Sequence, residues 1–436
     1  MNPEFRRNLW LELTLHRLIA MPATLVLVLA LIYAASPDPL GTMAVAAMIA
    51  SSVLLGVWGA HSAADAVPEE TRARTWDTQR MSAIGPWDMT WGKLLGATAF
   101  TWYGGVMLLA VLLVAAPRAW SYPAPKIAAL IVALSVLLQA STCLAGLSAV
   151  RKGVARQGVA SGWALVFALL MLGPGVSVLR DERAVTWWYG QFALPDFALA
   201  SAAVFAAWAV FGLYRSMATA LQVRTLPWAF AAFALFVTAY GAGFAADPAS
   251  FGATRNALLA CGFVVSAALT YLFLFTEETG VIVFRRVQSK LARRNLRGAL
   301  CELPCWTVGL ALAAVFGAAA AVSASGAPQG LLQSVALSPV PLFLLLARDA
   351  AIMLFFAIAA RPARAEAAAL FYLLVLYAIA PWLLTLAGLR GVAEIILPPA
   401  FERPVFASAV AAVHATLAWA AVFWRWRSHH PEKPPK

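Results

Sequence analysis

Apolar runs of about 20 residues recur along the whole chain, each long enough to cross about 30 Å of hydrocarbon. Twelve are predicted as spans, near 19–35, 43–65, 94–116, 126–150, 158–179, 196–214, 227–246, 256–275, 306–324, 335–360, 366–388 and 403–424. The runs are continuous rather than alternating, which argues against a β-barrel. Helices satisfy their own backbone hydrogen bonds in lipid. The predicted fold class is therefore an all-α polytopic membrane protein. The first run leads straight into further spans, so it reads as retained rather than cleaved.

The polar positions repeat as well. Corresponding spans of the two halves begin 207 to 213 residues apart. Glu69-Glu70-Thr71 follows the second span and Glu277-Glu278-Thr279 the eighth; Asp38-Pro39 and Asp247-Pro248 mark matching turns. Six spans per half implies two parallel repeats about an axis along the membrane normal. The expected domains are 1–214, a six-span half opened by an N-terminal interfacial helix, then 215–424, a second six-span half, and a basic tail at 425–436. Phe5, Leu9 and Leu13 give the N-terminal segment an apolar stripe, and Arg215–Arg224 is expected to form a second interfacial helix.

Composition and charge sharpen this. Apolar residues make up 62% of the chain and charged residues 12%, against about 25% charged in ordinary soluble domains. Mean hydropathy is +0.78. The N-terminal segment, the tail and the loops after even-numbered spans hold 24 of the 32 basic residues, the opposite loops 7, and Arg348 lies inside a span. The positive-inside rule places both termini in the cytoplasm. The net charge of +12 follows from this bias. It suits anionic membrane lipids, and no nucleic-acid-binding pattern accompanies it.

The candidate chemistry sits mainly between the second and third spans. There Glu69 and Glu70 precede Thr75-Trp76-Asp77, an interrupted apolar face of Met81, Ile84 and Trp87, the breaker Gly85-Pro86, and Gly92-Lys93 at the start of the third span. Lys93 is expected to snorkel at the interface. A short amphipathic helix here would suit docking into a groove on a soluble partner.

In this order, EET, RTWD, GPWD and GKLLG resemble the loop of type-2 ABC exporter permeases, and NPEFRR resembles that family's N-terminal interfacial helix. The resemblance implies two permease halves fused in one chain and a cytoplasmic (inner) membrane location. It also implies ATPase coupling through 66–93 and 276–305, including Glu277 and Glu278, with transport by alternating access. ATP and Mg would then sit on separate ATPase subunits, two copies of them. This chain itself would bind no cofactor or metal and would be no enzyme alone. No Walker A loop is present: six residues separate Gly85 from Gly92 where four are needed, and Leu94 follows Lys93. The second loop lacks the TWD and GK elements but keeps Leu291, Leu296 and Leu300.

Two further sets stand out. Arg348-Asp349 in the tenth span reads either as a pathway contact or as a structural pair. Trp187, Trp188 and Tyr189 read either as an external gate or as an interfacial aromatic belt. The alternative functions are an ion-driven carrier, although the G-x-x-x-D-R-x-G-R-R loop of the major carrier family is absent, and an integral-membrane enzyme acting on lipid-linked substrates. For the latter the external acids are Asp181, Glu182, Glu394 and Glu402. Nothing in the sequence selects a substrate.

Overall fold

The computed structural model describes residues 2–116, 120, 122–151, 184–223, 228–246, 251–277, 281–323, 338–358 and 365–429. Among these, ten helices are long and apolar enough to cross a membrane. A bent pair, Pro86–Gly96 and Ala99–Ala115, makes an eleventh if it is counted as one broken span. The chain is a multi-pass, helical integral membrane protein. The predicted fifth span, 158–179, lies outside the described residues. The chain divides into two compact units, Met1–Val185 with Gln191–Thr225, and Thr186–Gly190 with Leu226–Lys436.

The first unit opens with α1 (Pro3–Glu12), started by Pro3 and capped by Asn2, whose side chain accepts from the Glu4 and Phe5 amides. Helix α2 (Leu15–Ala35) buries only Met21, so most of its apolar surface is left for lipid. Helices α3 (Pro39–Ser51) and α4 (Gly59–Arg72) are joined through a π-helical turn, Ser52–Trp58, into one rod, Pro39–Arg72. At 1.5 Å per residue the rod is roughly 50 Å long, well beyond the hydrocarbon thickness. Glu69 and Glu70 therefore lie on the helix that carries the second span beyond the hydrocarbon thickness, where the sequence predicted a loop. Two short helices follow, α5 (Trp76–Arg80) and α6 (Pro86–Gly96). A bend of 59° separates α6 from α7 (Ala99–Ala115).

Helices α8 (Ala124–Arg151) and α9 (Leu194–Ala220) complete the first unit. The separate interfacial helix expected at Arg215–Arg224 is not formed: Arg215–Ala220 are the last turns of α9. Met217 and Ala218 are fully buried, so packing draws this segment into the bundle. The π turn in the Pro39–Arg72 rod has a definite partner. Gln139 of α8, fully buried, donates from Nε2 to the Leu55 carbonyl (2.8 Å) and accepts from Trp102 Nε1 (3.0 Å). One turn on, Thr142 Oγ1 donates to the Ala60 carbonyl (2.9 Å). A π turn displaces the regular backbone ladder, and Gln139 satisfies a carbonyl there.

The second unit comprises α10 (Trp228–Ala242), α11 (Phe251–Thr276), α12 (Val281–Ala292), α13 (Leu296–Glu302), α14 (Cys305–Val322), α15 (Pro339–Ala357), α16 (Ala365–Leu374), α17 (Ala380–Leu386), α18 (Arg390–Ile396) and α19 (Pro404–His429). Helix α11 packs closely on α14, and α15 on α19. Gly309 of α14 lies against Thr270 of α11, where a Cβ would come within 2.6 Å of its hydroxyl oxygen. Helix α15 is the most enclosed of the apolar spans. A second π turn, Val375–Ile379, joins α16 to α17.

Replacing Gln139 by Leu orphans the Leu55 carbonyl and the Trp102 indole N–H, each at a cost of about 1–3 kcal/mol. Gln139→Leu should lower the thermal unfolding midpoint in lipid nanodiscs. An unchanged midpoint would show that the π turn needs no such partner.

Candidate functional site

The candidate site is built where α1, α4 and α6 meet. Helix α1 lies against α6 because α6 carries glycine where the two touch. A Cβ on Gly92 would meet Glu4 Cγ at 2.6 Å, and one on Gly96 would meet Asn8 Cβ at 2.6 Å. Asn2 Nδ2 donates to the Asp88 carbonyl (2.6 Å) and Asn8 Nδ2 to the Gly92 carbonyl (3.1 Å), fixing the register of α1 on α6.

This docking brings four charges together. Lys93 is 1% exposed and Glu4 2% exposed. The Lys93 ammonium lies 2.6 Å from Glu4 Oε1, donates to Gln79 Oε1 (3.0 Å) and pairs directly with Glu70. Its three donors thus face three acceptors. Arg7 closes the ring, bonding Glu4 (3.0 Å) and Glu70. Asn8 Nδ2 also donates to Glu4 Oε1 (3.1 Å). Two cations and two carboxylates make the set neutral, which is the condition for holding charge out of water. The Trp76 ring lies 5.9 Å from the ammonium and belongs to a core with Met89, Leu94 and Leu147.

The structure separates the residues that the sequence grouped. Glu70, Trp76 and Lys93 form or line the buried clamp. Glu69, Thr75, Asp77 and Trp87 are exposed around it. Thr75 Oγ1 donates to the Glu70 carbonyl (3.3 Å), and Asp77 lies 3.4 Å from Arg80. Arg80 in turn donates from Nε to the Ala220 carbonyl (3.0 Å). Trp87 stacks on Tyr214 with ring centres 4.1 Å apart. Met81 is 82% exposed. Lys93 does not snorkel to the interface as its sequence position suggested; the buried Glu4 and the partly buried Glu70 hold it inside. Glu4, Arg7, Asn8 and Gln79 are the members that sequence reading missed. Their trace is a polar face on α1, with Glu4, Arg7 and Asn8 at i, i+3 and i+4.

In the second loop, Glu277 Oε2 accepts from the Trp306 amide (3.4 Å), and Glu278 lies outside the described residues. Lys290 pairs with Glu302 locally. Ile282, Leu291, Leu296 and Leu300 are exposed along α12 and α13.

Arg348 and Asp349 are enclosed in α15, 3% and 1% exposed. Arg348 Nε donates to Asp349 Oδ1 (2.8 Å), and Asp349 Oδ2 accepts from Tyr271 (2.6 Å) and Tyr377 (2.7 Å). The guanidinium lies over the Tyr377 ring at 4.9 Å. Trp187, Trp188 and Tyr189 lie at the tip of a hairpin of β1 (Ala184–Trp187) and β2 (Gly190–Ala193), an element the all-helical expectation omitted. Trp188 and Tyr189 hold φ of 48° and 74°, the pattern of a two-residue hairpin turn that aromatic side chains seldom adopt. The tip belongs to the second unit, where Trp187 Nε1 donates to the Tyr240 carbonyl (2.9 Å) and Trp188 Nε1 to the Ala239 carbonyl (3.1 Å).

Lys93→Met leaves Glu4 and Glu70 with Arg7 as their one remaining cation, a net negative charge in an enclosed site that costs about 3–5 kcal/mol. The triple change Glu4→Gln, Glu70→Gln, Lys93→Met should recover a large part of that loss in thermal unfolding of the purified chain. If the triple variant is no more stable than Lys93→Met, the clamp is not a charge-coupled unit.

No protein-family model, curated protein or solved structure matches the chain.

Proposed function

We propose that the chain is the membrane-spanning permease of an ATP-driven transporter of the exporter kind, powered by separate ATPase subunits. The observation that carries this reading is the clamp. It ties the projecting end of the second span, the short helix before the third, and α1 into one body, while Asp77, Met81 and Trp87 stay exposed around it. A loop that receives force needs a rigid attachment to its spans and a free face for the partner. The EET, RTWD and GK elements supply the parts of both.

In this reading both termini and the loops 66–93 and 276–305 are cytoplasmic, and ATP with Mg binds the partner subunits. The two repeats, six spans each, rock about a central pathway in alternating access. The second loop offers a different surface, the exposed apolar residues Ile282, Leu291, Leu296 and Leu300, so the two ATPase contacts are unlike. A gradient-driven carrier is the second reading, favoured by the buried Arg348–Asp349 pair, since intramembrane ion pairs commonly mark coupling routes.

Met81 packs little of its surface, so Met81→Glu should leave the unfolding midpoint unchanged while reducing capture of the ATPase subunit about tenfold, the effect of about 1.4 kcal/mol. The measurement is quantitative co-purification from the native membrane with tagged full-length chain in lipid nanodiscs. Recovery of no ATPase with the wild-type chain would sink the ATP-driven reading. Transport that runs without ATP and collapses with the proton gradient would establish the second.

A further inference from the structure

The polar cluster around Arg348 is unbalanced in one direction. Asp349 has both oxygens engaged: Oδ1 takes Arg348 Nε, and Oδ2 takes the hydroxyls of Tyr271 and Tyr377. The guanidinium is not similarly engaged. Among the described residues its Nη1 has no hydrogen-bond partner, and Nη2, although 2.8 Å from Asp349 Oδ1, is not aligned to donate to it. Both atoms are fully enclosed. The clamp of the first unit also leaves Arg7 Nε unpaired, but the Arg7 side chain is 38% exposed and reaches the surface. Arg348 reaches none.

An arginine presents five N–H donors in a planar fork suited to two-oxygen acceptors. Here only one is used well, by a carboxylate that already accepts three hydrogen bonds. A second unpaired polar atom lies on α19, which packs against α15: His414 Nδ1 is buried without a hydrogen-bond partner among the described residues. The Arg348 cluster itself is built from three elements, α11 through Tyr271, α15 through the ion pair and the π turn through Tyr377. A π turn inserted in a span is a recurrent mark of functional positions. The unmet capacity of the guanidinium is donor capacity, so the group it lacks is an acceptor. Next to an enclosed cation, that acceptor is best an anionic oxygen.

We propose that Arg348, with Tyr377 over which its guanidinium lies, forms a binding site for a carboxylate or phosphate group within the second unit. Asp349 acts as the resident counter-anion, orienting the guanidinium and holding the site in the absence of ligand. Arg348 is 3% exposed, so the conformation described is the closed one, and ligand enters when the surrounding helices part. The anionic group arrives either on a free small molecule or on a lipid headgroup. The inference stands apart from the energy source, since it concerns what the second unit holds and not what drives it.

The test uses full-length chain and three forms: wild type, Arg348→Lys and Asp349→Asn. Arg348→Lys keeps the ion pair but removes the surplus forked donors. Asp349→Asn removes the competing carboxylate and keeps the shape. For the free-anion arm, acetate and inorganic phosphate are titrated into detergent-purified protein, and the unfolding midpoint is followed to saturation. For the lipid arm, retention of phosphatidylglycerol is measured by native mass spectrometry after exchange from phosphatidylglycerol nanodiscs. A saturable midpoint rise that is lost in Arg348→Lys identifies a free anion as the ligand, and phosphatidylglycerol retention lost in the same variant identifies the headgroup. In the responding arm, Asp349→Asn should lower the half-saturating concentration about tenfold by removing a like charge at contact distance. Identical responses from wild type and Arg348→Lys in both arms would show that the pair is structural only and that water fills the free donors. If Asp349→Asn fails to fold, the Arg348→Lys comparison decides alone.

Discussion

The enclosed ammonium of Lys93 is the constraint on which the cytoplasm-facing end proposed for the first unit depends. Its acceptors come from residue 4 and, far along the chain, from residues 70 and 79. Burying charge is costly, and a buried ion set seldom stabilises more than a well-packed apolar one. What it adds is registry. An apolar contact between α1 and α6 tolerates sliding by a turn. A network in which Lys93 meets both Glu4 and Glu70 while Asn8 meets the Gly92 carbonyl does not. Gly92 and Gly96 make the approach close enough for those bonds.

That registry sorts the loop into an inside and an outside. Glu70, Trp76 and Lys93 hold the short helices to the spans; Asp77, Met81 and Trp87 are presented around them. The same motif therefore serves two purposes, attachment and presentation. A substitution inside should act through stability, and one outside through association. In the proposed transporter this division lets a pull on the exposed face move the second and third spans together.

The two units place their polar groups differently. In the first, the enclosed side-chain network in the middle of the bundle is neutral: Gln139 serves the π turn of the second span and the Trp102 indole. In the second, an ion pair with two tyrosines occupies the middle, and the charge pair of its loop, Lys290 with Glu302, is local and half-buried. The two units thus differ in chemistry, and the unmet donors of Arg348 fall in the second unit, whose segment 276–305 lacks the TWD and GK elements.

The sequence by itself determined the membrane class and the placement of the apolar helices, because a span needs only a sufficient run of apolar residues and a local hydrogen-bond ladder. It also marked Glu70, Trp76, Lys93 and Arg348-Asp349 as unusual, since charge and tryptophan at such places stand out against an apolar background. Only the tertiary structure decided which of these are enclosed. Lys93 reads as a snorkelling residue until Glu4 and Glu70 are brought beside it from other segments. Arg215–Arg224 reads as an interfacial helix until Met217 and Ala218 are drawn into the bundle. Trp187, Trp188 and Tyr189 read as a gate or a belt, and nothing in their local pattern shows the hairpin turn that sets the backbone of Trp188 and Tyr189. In each case the deciding partner lies far away in sequence or in a packing contact, and local pattern records neither.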